Sequence, residues 1–525
     1  MLVLISLLAG GLIAYATQHG PWGFSDPVAY IVSGRNLVRG IGIGYHFPDG
    51  TFHWLAFHPP FFPIVSSLFT RSGIDEIHGI RFLVIGLFAV SVFVAGFSIY
   101  RYTASPELSI PASLFMAIFP PMVRMYSSAM SEPLFLTLWF ISAISFLAYL
   151  RQGARRLFWL AAVTASLTIL TRYIGAALVA ASALTLLLID RGNWLSRLKK
   201  AVGFGLIASV PTAAWMIWIY FQSSRSLGGR ATSLDPTVLL AKFQQFRGAV
   251  MDTLMAFVPI PFHLSYRLRW ILLGGVALGI ILVTWWAARR LRRKGMTDRE
   301  RSSQEGFLLH GLGAVMCLVF MGLTYLPTQP PPDIDERTLL PFFPPLALGL
   351  ISAFSLWSRA WFSGWKRWLN LLPWLGTALF LLVSWPRTLN RVTSYHEGVG
   401  LTADYWRASA TIEAVKDLPQ NIPLISNEAP AILLWADRPA YDLDETIRQE
   451  FITQAGAYGS DSQDRSQKAF QAGGALIIFP TLSFQLSQAY GDAGAQRLDS
   501  MLRGLYRYGE YQDGAIYFLK PPASP

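Results

Sequence analysis

Long apolar runs alternate with short polar stretches along this chain. Runs of about 18 or more apolar residues are long enough to cross a bilayer as helices. The pattern predicts eleven such helices. Nine lie at about 1–18, 79–100, 108–124, 131–150, 201–221, 270–288, 307–326, 338–357 and 368–385, and two short ones lie inside 157–189. Pro120-Pro121 breaks the third. Thr171-Arg172-Tyr173 divides the stretch 157–189. The first run lacks a basic flank but holds Ala14-Tyr15-Ala16; it reads as a retained helix, with a cleaved signal peptide as the alternative. In the mixed loop at 222–269, the part 239–257 reads as lying along the membrane interface. From about Leu401 the period changes. Helices around 402–418, 429–436 and 494–506 alternate with strands at 423–426, 475–479 and 515–519, which predicts a small α/β layer.

Charge orients these elements. Basic clusters at 101, 151–156, 191–200, 289–301 and 359–367 fall in every second loop, which places those loops in the cytoplasm. The loops at 19–78, 125–131, 222–269 and 327–337 are then outside, with everything after about 386. The expected fold is a polytopic α-helical membrane protein with about eleven spans. Residues 1–385 form the membrane domain, 19–78 its first extracytoplasmic loop, and 386–525 a soluble extracytoplasmic α/β domain. Composition agrees: 53% of residues are hydrophobic and only 14% charged, too few to wet a soluble surface. The net charge of +12 does not point to nucleic acid, because its excess sits in the cytoplasmic clusters. A single cysteine, Cys317, excludes a disulfide framework. The chain carries no GxGxxG, P-loop or CxxC motif.

The candidate chemistry lies on the outer side. Asp26-Pro27 reads as a helix start with Asp26 as cap, and Tyr30 falls one turn later on the same face. A cap on the rim of a bundle can also face a cavity. Glu132 repeats the arrangement in Ser131-Glu132-Pro133, as a first-turn acid at a helix mouth. Arg172 interrupts an apolar stretch, where a guanidinium is costly and is usually paired or functional. Arg337 stands at the start of the tenth helix, and arginine suits bidentate phosphate binding. His58-Pro59-Pro60 reads as a helix start with His58 as a hydrogen-bond donor. His53 and His58 alone do not make a metal site, although a divalent metal stays open.

These pieces, in this order, resemble the multi-pass GT-C glycosyltransferases. The similarity is to the bacterial relatives of the protein O-mannosyltransferases and the lipid A aminoarabinose transferases. It rests on Asp26-x-x-x-Tyr30, His58-Pro59-Pro60, Ser131-Glu132-Pro133-Leu134-Phe135, Leu170-Thr171-Arg172-Tyr173 and Arg337-Thr338-Leu339-Leu340-Pro341-x-x-Pro344, over about residues 5–350. This chain has one acid at position 26 where many relatives carry a pair. The resemblance implies a polyprenyl-phosphate-linked sugar donor and a hydroxyl acceptor on an envelope glycan, lipid or protein. It also implies an inverting transfer in the bacterial inner membrane, with no nucleotide. Asp26 would act as base or orient the acceptor, Arg172 and Arg337 would bind the phosphate, and Glu132 would position one substrate, with Tyr30 and His58 beside them. The rival readings are a lipid or polysaccharide transporter, whose sites favour the membrane midplane, and a non-catalytic scaffold.

Overall fold

Pro120-Pro121 and Arg172 mark two of the breaks between the helices of this chain. The computed structural model describes residues 1–190, 192–223, 231–233, 235–257, 265–293, 295–329, 331–361, 371–443 and 461–522. Up to residue 126 the helices are α1 (Leu2–Ala16), α2 (Ser25–Val38), α3 (Phe61–Arg71), α4 (Glu76–Thr103), α5 (Pro106–Ile118) and α6 (Pro120–Tyr126). Then come α7 (Glu132–Gln152), α8 (Arg155–Thr171), α9 (Ala176–Ile189), α10 (Trp194–Gln222), α11 (Pro236–Phe257) and α12 (Tyr266–Arg293). They are followed by α13 (Asp298–Tyr325), α14 (Glu336–Leu339), α15 (Phe343–Trp361) and α16 (Leu372–His396).

The chain divides into two compact units. The first comprises Met1–Thr17, Ala56–Phe62 and Ile80–His396. Each predicted apolar stretch is helical over at least part of its length. Among the described residues, five helices are long and apolar enough to cross a membrane: Glu76–Thr103, Glu132–Gln152, Trp194–Gln222, Arg267–Arg293 and Asp298–Tyr325. The α5–α6 pair, bent by 57° before Pro120-Pro121, makes a sixth if it is one span. α7 is the most enclosed, with 83% of its apolar window buried against 17% for α12. Its small residues explain this. Ser142 donates to the Ala161 carbonyl of α8 at 2.8 Å, and Ala143 and Ser145 let neighbouring helices approach closely.

The second unit joins Gln18–Leu55, Pro63–Gly79 and Glu397–Pro525. A Pro48-Asp49-Gly50 turn, with Gly50 at φ +82 and Asp49 accepting from the Thr51 amide, closes the hairpin of β1 (Gly44–His46) and β2 (Phe52–Trp54). β3 (Ala231–Thr232) pairs with β4 (Thr328–Gln329), outside this unit. The C-terminal strands β5 (Leu424–Ser426), β6 (Ala440–Asp442), β7 (Ala475–Ile478), β8 (Tyr506–Tyr511) and β9 (Gly514–Phe518) form one mixed sheet of order β6-β5-β7-β9-β8. β5 pairs in parallel with β6 and β7, whereas β9 is antiparallel to β7 and β8. Both faces are covered. Ile477 and Phe518 belong to one core with Trp406 and Ile432, while Leu476 and Ile478 belong to the other with Leu482 and Tyr517. The sequence reading differs here at two strands. β6 was not anticipated. Tyr506, expected at a helix end, opens β8 instead, because the helix stops at Leu502 and the polar, aromatic run that follows pairs with β9.

The first loop is bound into this unit by its own backbone. Leu401 donates to the Gly23 carbonyl at 2.8 Å and Asp404 to that of His19 at 3.0 Å, while the Thr402 hydroxyl donates to the Pro21 carbonyl. Glycine is required at the crossing. A Cβ on Gly400, which sits at φ +84, would lie 2.2 Å from the Gly23 oxygen. Arg35 of α2 donates to the Leu434 carbonyl at 2.6 Å and pairs with Glu76 at 3.2 Å, and Arg39 pairs with Asp437 at 2.7 Å. Asp75 accepts from Arg407 at 2.6 Å and from the His78 amide at 2.9 Å. Burial opposes the Asp75 charge, but these donors outweigh it and hold its pKa at about 2, below the ordinary 3.8. Because the folded value is depressed, the stabilisation is complete above pH 3.8 and disappears as pH falls through about 2. We expect Asp75→Asn to unfold earlier than wild type at neutral pH. The two transitions should converge by about pH 2, as measured by thermal unfolding of the full chain across that range. A gap that persists at pH 2 would refute the assignment.

Candidate functional site

Glu132 opens α7 beside Pro133, in the first helical turn, where an acid complements the helix dipole. The side chain is only 1% exposed, so its charge needs a partner. It has two. Arg172 Nη1 lies 2.7 Å and Arg337 Nε 2.6 Å from the same oxygen, Oε1. Ser131, the N-cap residue, makes no cap hydrogen bond with its side chain; its hydroxyl instead receives Arg172 Nη1 at 3.4 Å. Arg172 reaches this point because it stands in the break expected at Thr171-Arg172-Tyr173. It is extended (φ −151, ψ 130) between α8 and a 3-10 turn at Tyr173–Gly175. Gly175 permits the tight packing there, since a Cβ would lie 2.8 Å from the Thr168 backbone. Arg337 is set by the single turn α14, capped reciprocally by Asp335 and Thr338. The first turns of α7 are held by a buried hydroxyl cluster in which Ser91 meets Tyr126 at 2.7 Å and Thr137 at 2.8 Å.

A second group adjoins through the chain, because Glu336 precedes Arg337. Glu336 pairs with Arg391 of α16 at 2.7 Å and with Arg124 of α6 at 3.6 Å. The sequence reading did not select Arg124, Glu336 or Arg391. The available signal was weak: Arg124 follows the Pro120-Pro121 break, and Arg391 sits beyond an apolar run among other polar residues. Together the group has four guanidiniums and two carboxylates. Such an excess of arginine forks is suited to an anion bearing several oxygens.

Asp26 and Tyr30 lie on α2, in the second unit. The helix begins two residues earlier than expected, at Ser25, with Phe24 as N-cap and no capping side chain. Asp26 is therefore a half-buried first-turn acid and not the cap. Tyr30 is 2% exposed. Tyr45 of β1 is close enough to feel Asp26: burial first, then the Asp26 carboxylate, raises its pKa above the ordinary value. His58 occupies the bend before α3, in the helical unit. Among the described residues no three His, Cys, Asp or Glu side chains gather to hold a metal, so no step is assigned to one. A cavity of about 560 Å³ is lined in the helical unit by Arg197, Arg292, Arg301, Asp190 and Glu305, and by none of the residues selected from sequence. A second, of about 370 Å³, lies wholly within the other unit, against α2, the β1–β2 hairpin and β6.

No protein-family model and no curated protein matches this sequence. Solved structures do. ArnT from Cupriavidus metallidurans bound to undecaprenyl phosphate is similar with a TM-score of 0.53 at 13% identity, over 100% of this chain and 98% of that one. The apo ArnT structure from the same organism gives 0.53 at 14% identity, over 98% and 97%. The chain shares its fold with these ArnT structures. At this identity the likeness concerns architecture, and it runs the length of both chains. The chemistry has to be argued from the residues themselves.

Proposed function

We propose that this chain is a membrane glycosyltransferase that moves a sugar from a polyprenyl-phosphate donor to a hydroxyl on an envelope glycan, lipid or protein acceptor. The single observation that carries this reading is the arginine excess around Glu132 and Glu336. ArnT, which shares the fold, binds undecaprenyl phosphate, the class of lipid proposed here as carrier. In the proposed reaction the acceptor oxygen attacks C1 of the sugar with inversion. The C1–O bond to the phosphate breaks, its electron pair stays with the phosphate, and Asp26 takes the hydroxyl proton. Arg172 and Arg337 stabilise the phosphate as it leaves. Glu132 keeps the two guanidiniums side by side; with Oε1 already shared between them, it is assigned a positioning role and not that of a base. Tyr30 and His58 are proposed to line the substrate path. The reading includes the eleven-span topology, a bacterial inner-membrane location, the reaction on the outer face, and residues 386–525 as an extracytoplasmic domain.

Arg337→Lys tests it, because lysine keeps the charge but loses the planar fork. Undecaprenyl phosphate binding by the purified protein in nanodiscs should weaken by about tenfold or more. Transfer from a radiolabelled polyprenyl-phosphate sugar should fall in parallel. Unchanged binding would remove the arginines from the donor site. A wild-type protein that never transfers sugar, yet equilibrates a labelled lipid between leaflets, would be a transporter.

A further inference from the structure

The 370 Å³ cavity of the second unit has no role in the reaction as proposed above. Its volume lies in the range of small-molecule sites, roughly 300–1,000 Å³. Ser25 at the start of α2 forms part of one wall. Tyr45, Phe47 and Asp49, from the β1–β2 hairpin and its turn, form the second. Tyr441 and Asp442 of β6, the edge strand of the sheet, form the third together with Arg465. Several contacts tie these walls together. Arg465 Nη1 lies 3.5 Å from Asp49 Oδ2, joining the hairpin turn to the C-terminal segment. Phe47 packs against His53 with the ring planes tilted by 56°, which steadies the hairpin face. Burial, and then the nearby Asp49 carboxylate, raises the pKa of the Tyr441 hydroxyl above its ordinary value.

The lining has a definite chemistry. Tyr45, Phe47 and Tyr441 offer aromatic surfaces, and the two tyrosines add hydroxyls. Asp49 and Asp442 offer paired acceptor oxygens. Among the described lining residues two carboxylates face one guanidinium, which is already engaged with Asp49. A phosphate or carboxylate ligand is repelled by that balance. A ligand with apolar C–H faces and many neutral hydroxyl donors fits it. Tyr45 also links the cavity to Asp26, since it lines the one and lies within electrostatic reach of the other.

We propose that this cleft binds an uncharged saccharide, the acceptor whose hydroxyl is glycosylated. The acceptor role rests on the transferase reading above; the saccharide site does not. The test uses the full chain in nanodiscs with chitotriose, cellotriose and mannotriose as probes, followed by saturation-transfer NMR. Wild type should bind at least one of them saturably. Tyr441→Ala and the near-isosteric Asp442→Asn should each weaken that binding by about tenfold or more, while undecaprenyl phosphate binding stays as in wild type. Tyr441→Phe, which keeps the ring, guards against misfolding and should retain most of the affinity. Absence of binding for all three probes, variants that bind like wild type, or preference for a phosphorylated sugar would each overturn the proposal. If saccharide binding behaves as stated but no sugar is ever transferred from a lipid-phosphate donor, the cleft stands and the transferase reading falls. If transfer is observed while the Tyr441 and Asp442 variants keep the acceptor KM of wild type, the reverse holds.

Discussion

Replacing Glu132 by alanine is expected to cost more stability than any other single change at the arginine group. The carboxylate is 1% exposed and pairs with two guanidiniums at 2.6 and 2.7 Å. Without it, Arg172 and Arg337 face one another in a site from which water is largely excluded. Removing one partner of a buried pair costs about 3–5 kcal/mol. Most of that is the penalty of the charges left behind and not the worth of the pair. Two further variants separate these terms. Glu132→Gln keeps an acceptor but not the charge and should be intermediate. Adding Arg172→Leu to Glu132→Ala should restore part of the loss, because it removes one of the two repelling charges. The coupling should be on the order of 1–3 kcal/mol. Thermal unfolding of the detergent-solubilised chain, followed by size-exclusion chromatography, measures both. A Glu132→Ala protein as stable as wild type would mean that the arginines find other counter-charges and that Glu132 does not organise them.

Asp26→Asn is expected to lower transfer by about 10²–10⁴-fold, the usual worth of a positioned general base. The change should leave the fold in place. Loss of an N-cap would cost about 1 kcal/mol, but the N-cap here is Phe24 and Asp26 lies in the first turn behind it. Stability and activity should therefore separate: an unfolding midpoint near wild type with transfer nearly abolished. Undecaprenyl phosphate affinity should not change, because the proton is taken from the acceptor. Full transfer by the asparagine variant would end the case for Asp26 as base. A matching loss of stability would show that its role is structural.

What could be read in advance was set by local energetics. A charge within an apolar run is expensive, so Arg172 announced both the helix break and its own need for a partner. Pro120-Pro121 announced the bend between α5 and α6 for the same local reason. Glu132, Arg172 and Arg337 were each conspicuous as charges beside apolar stretches, and the structure brings these three together. Arg124 and Arg391 were not conspicuous, because an arginine near a helix end is ordinary until its partner is known. Glu336 was one of several loop acids. The capping of α2 was misread because Asp-Pro and Ser-Asp-Pro start helices equally well, and only the backbone at Phe24 decides between them. The union of the first loop with the C-terminal sheet has no local signature. It depends on glycines at 23 and 400 whose crossing appears only when both segments are folded.

That crossing also dictates when the protein can be finished. The Pro21 carbonyl waits for a hydroxyl 381 residues further along the chain. At ribosomal speeds of about 5–20 residues per second, that is a delay on the order of 20–80 seconds. α2, with Asp26 on it, emerges near the start of synthesis, but Leu434 and Asp437, which hold its Arg35 and Arg39, are made near the end. A truncated or still-growing chain therefore has the acid without the frame that orients it. That helix therefore takes its final place only after the segment holding Leu434 and Asp437 has been made.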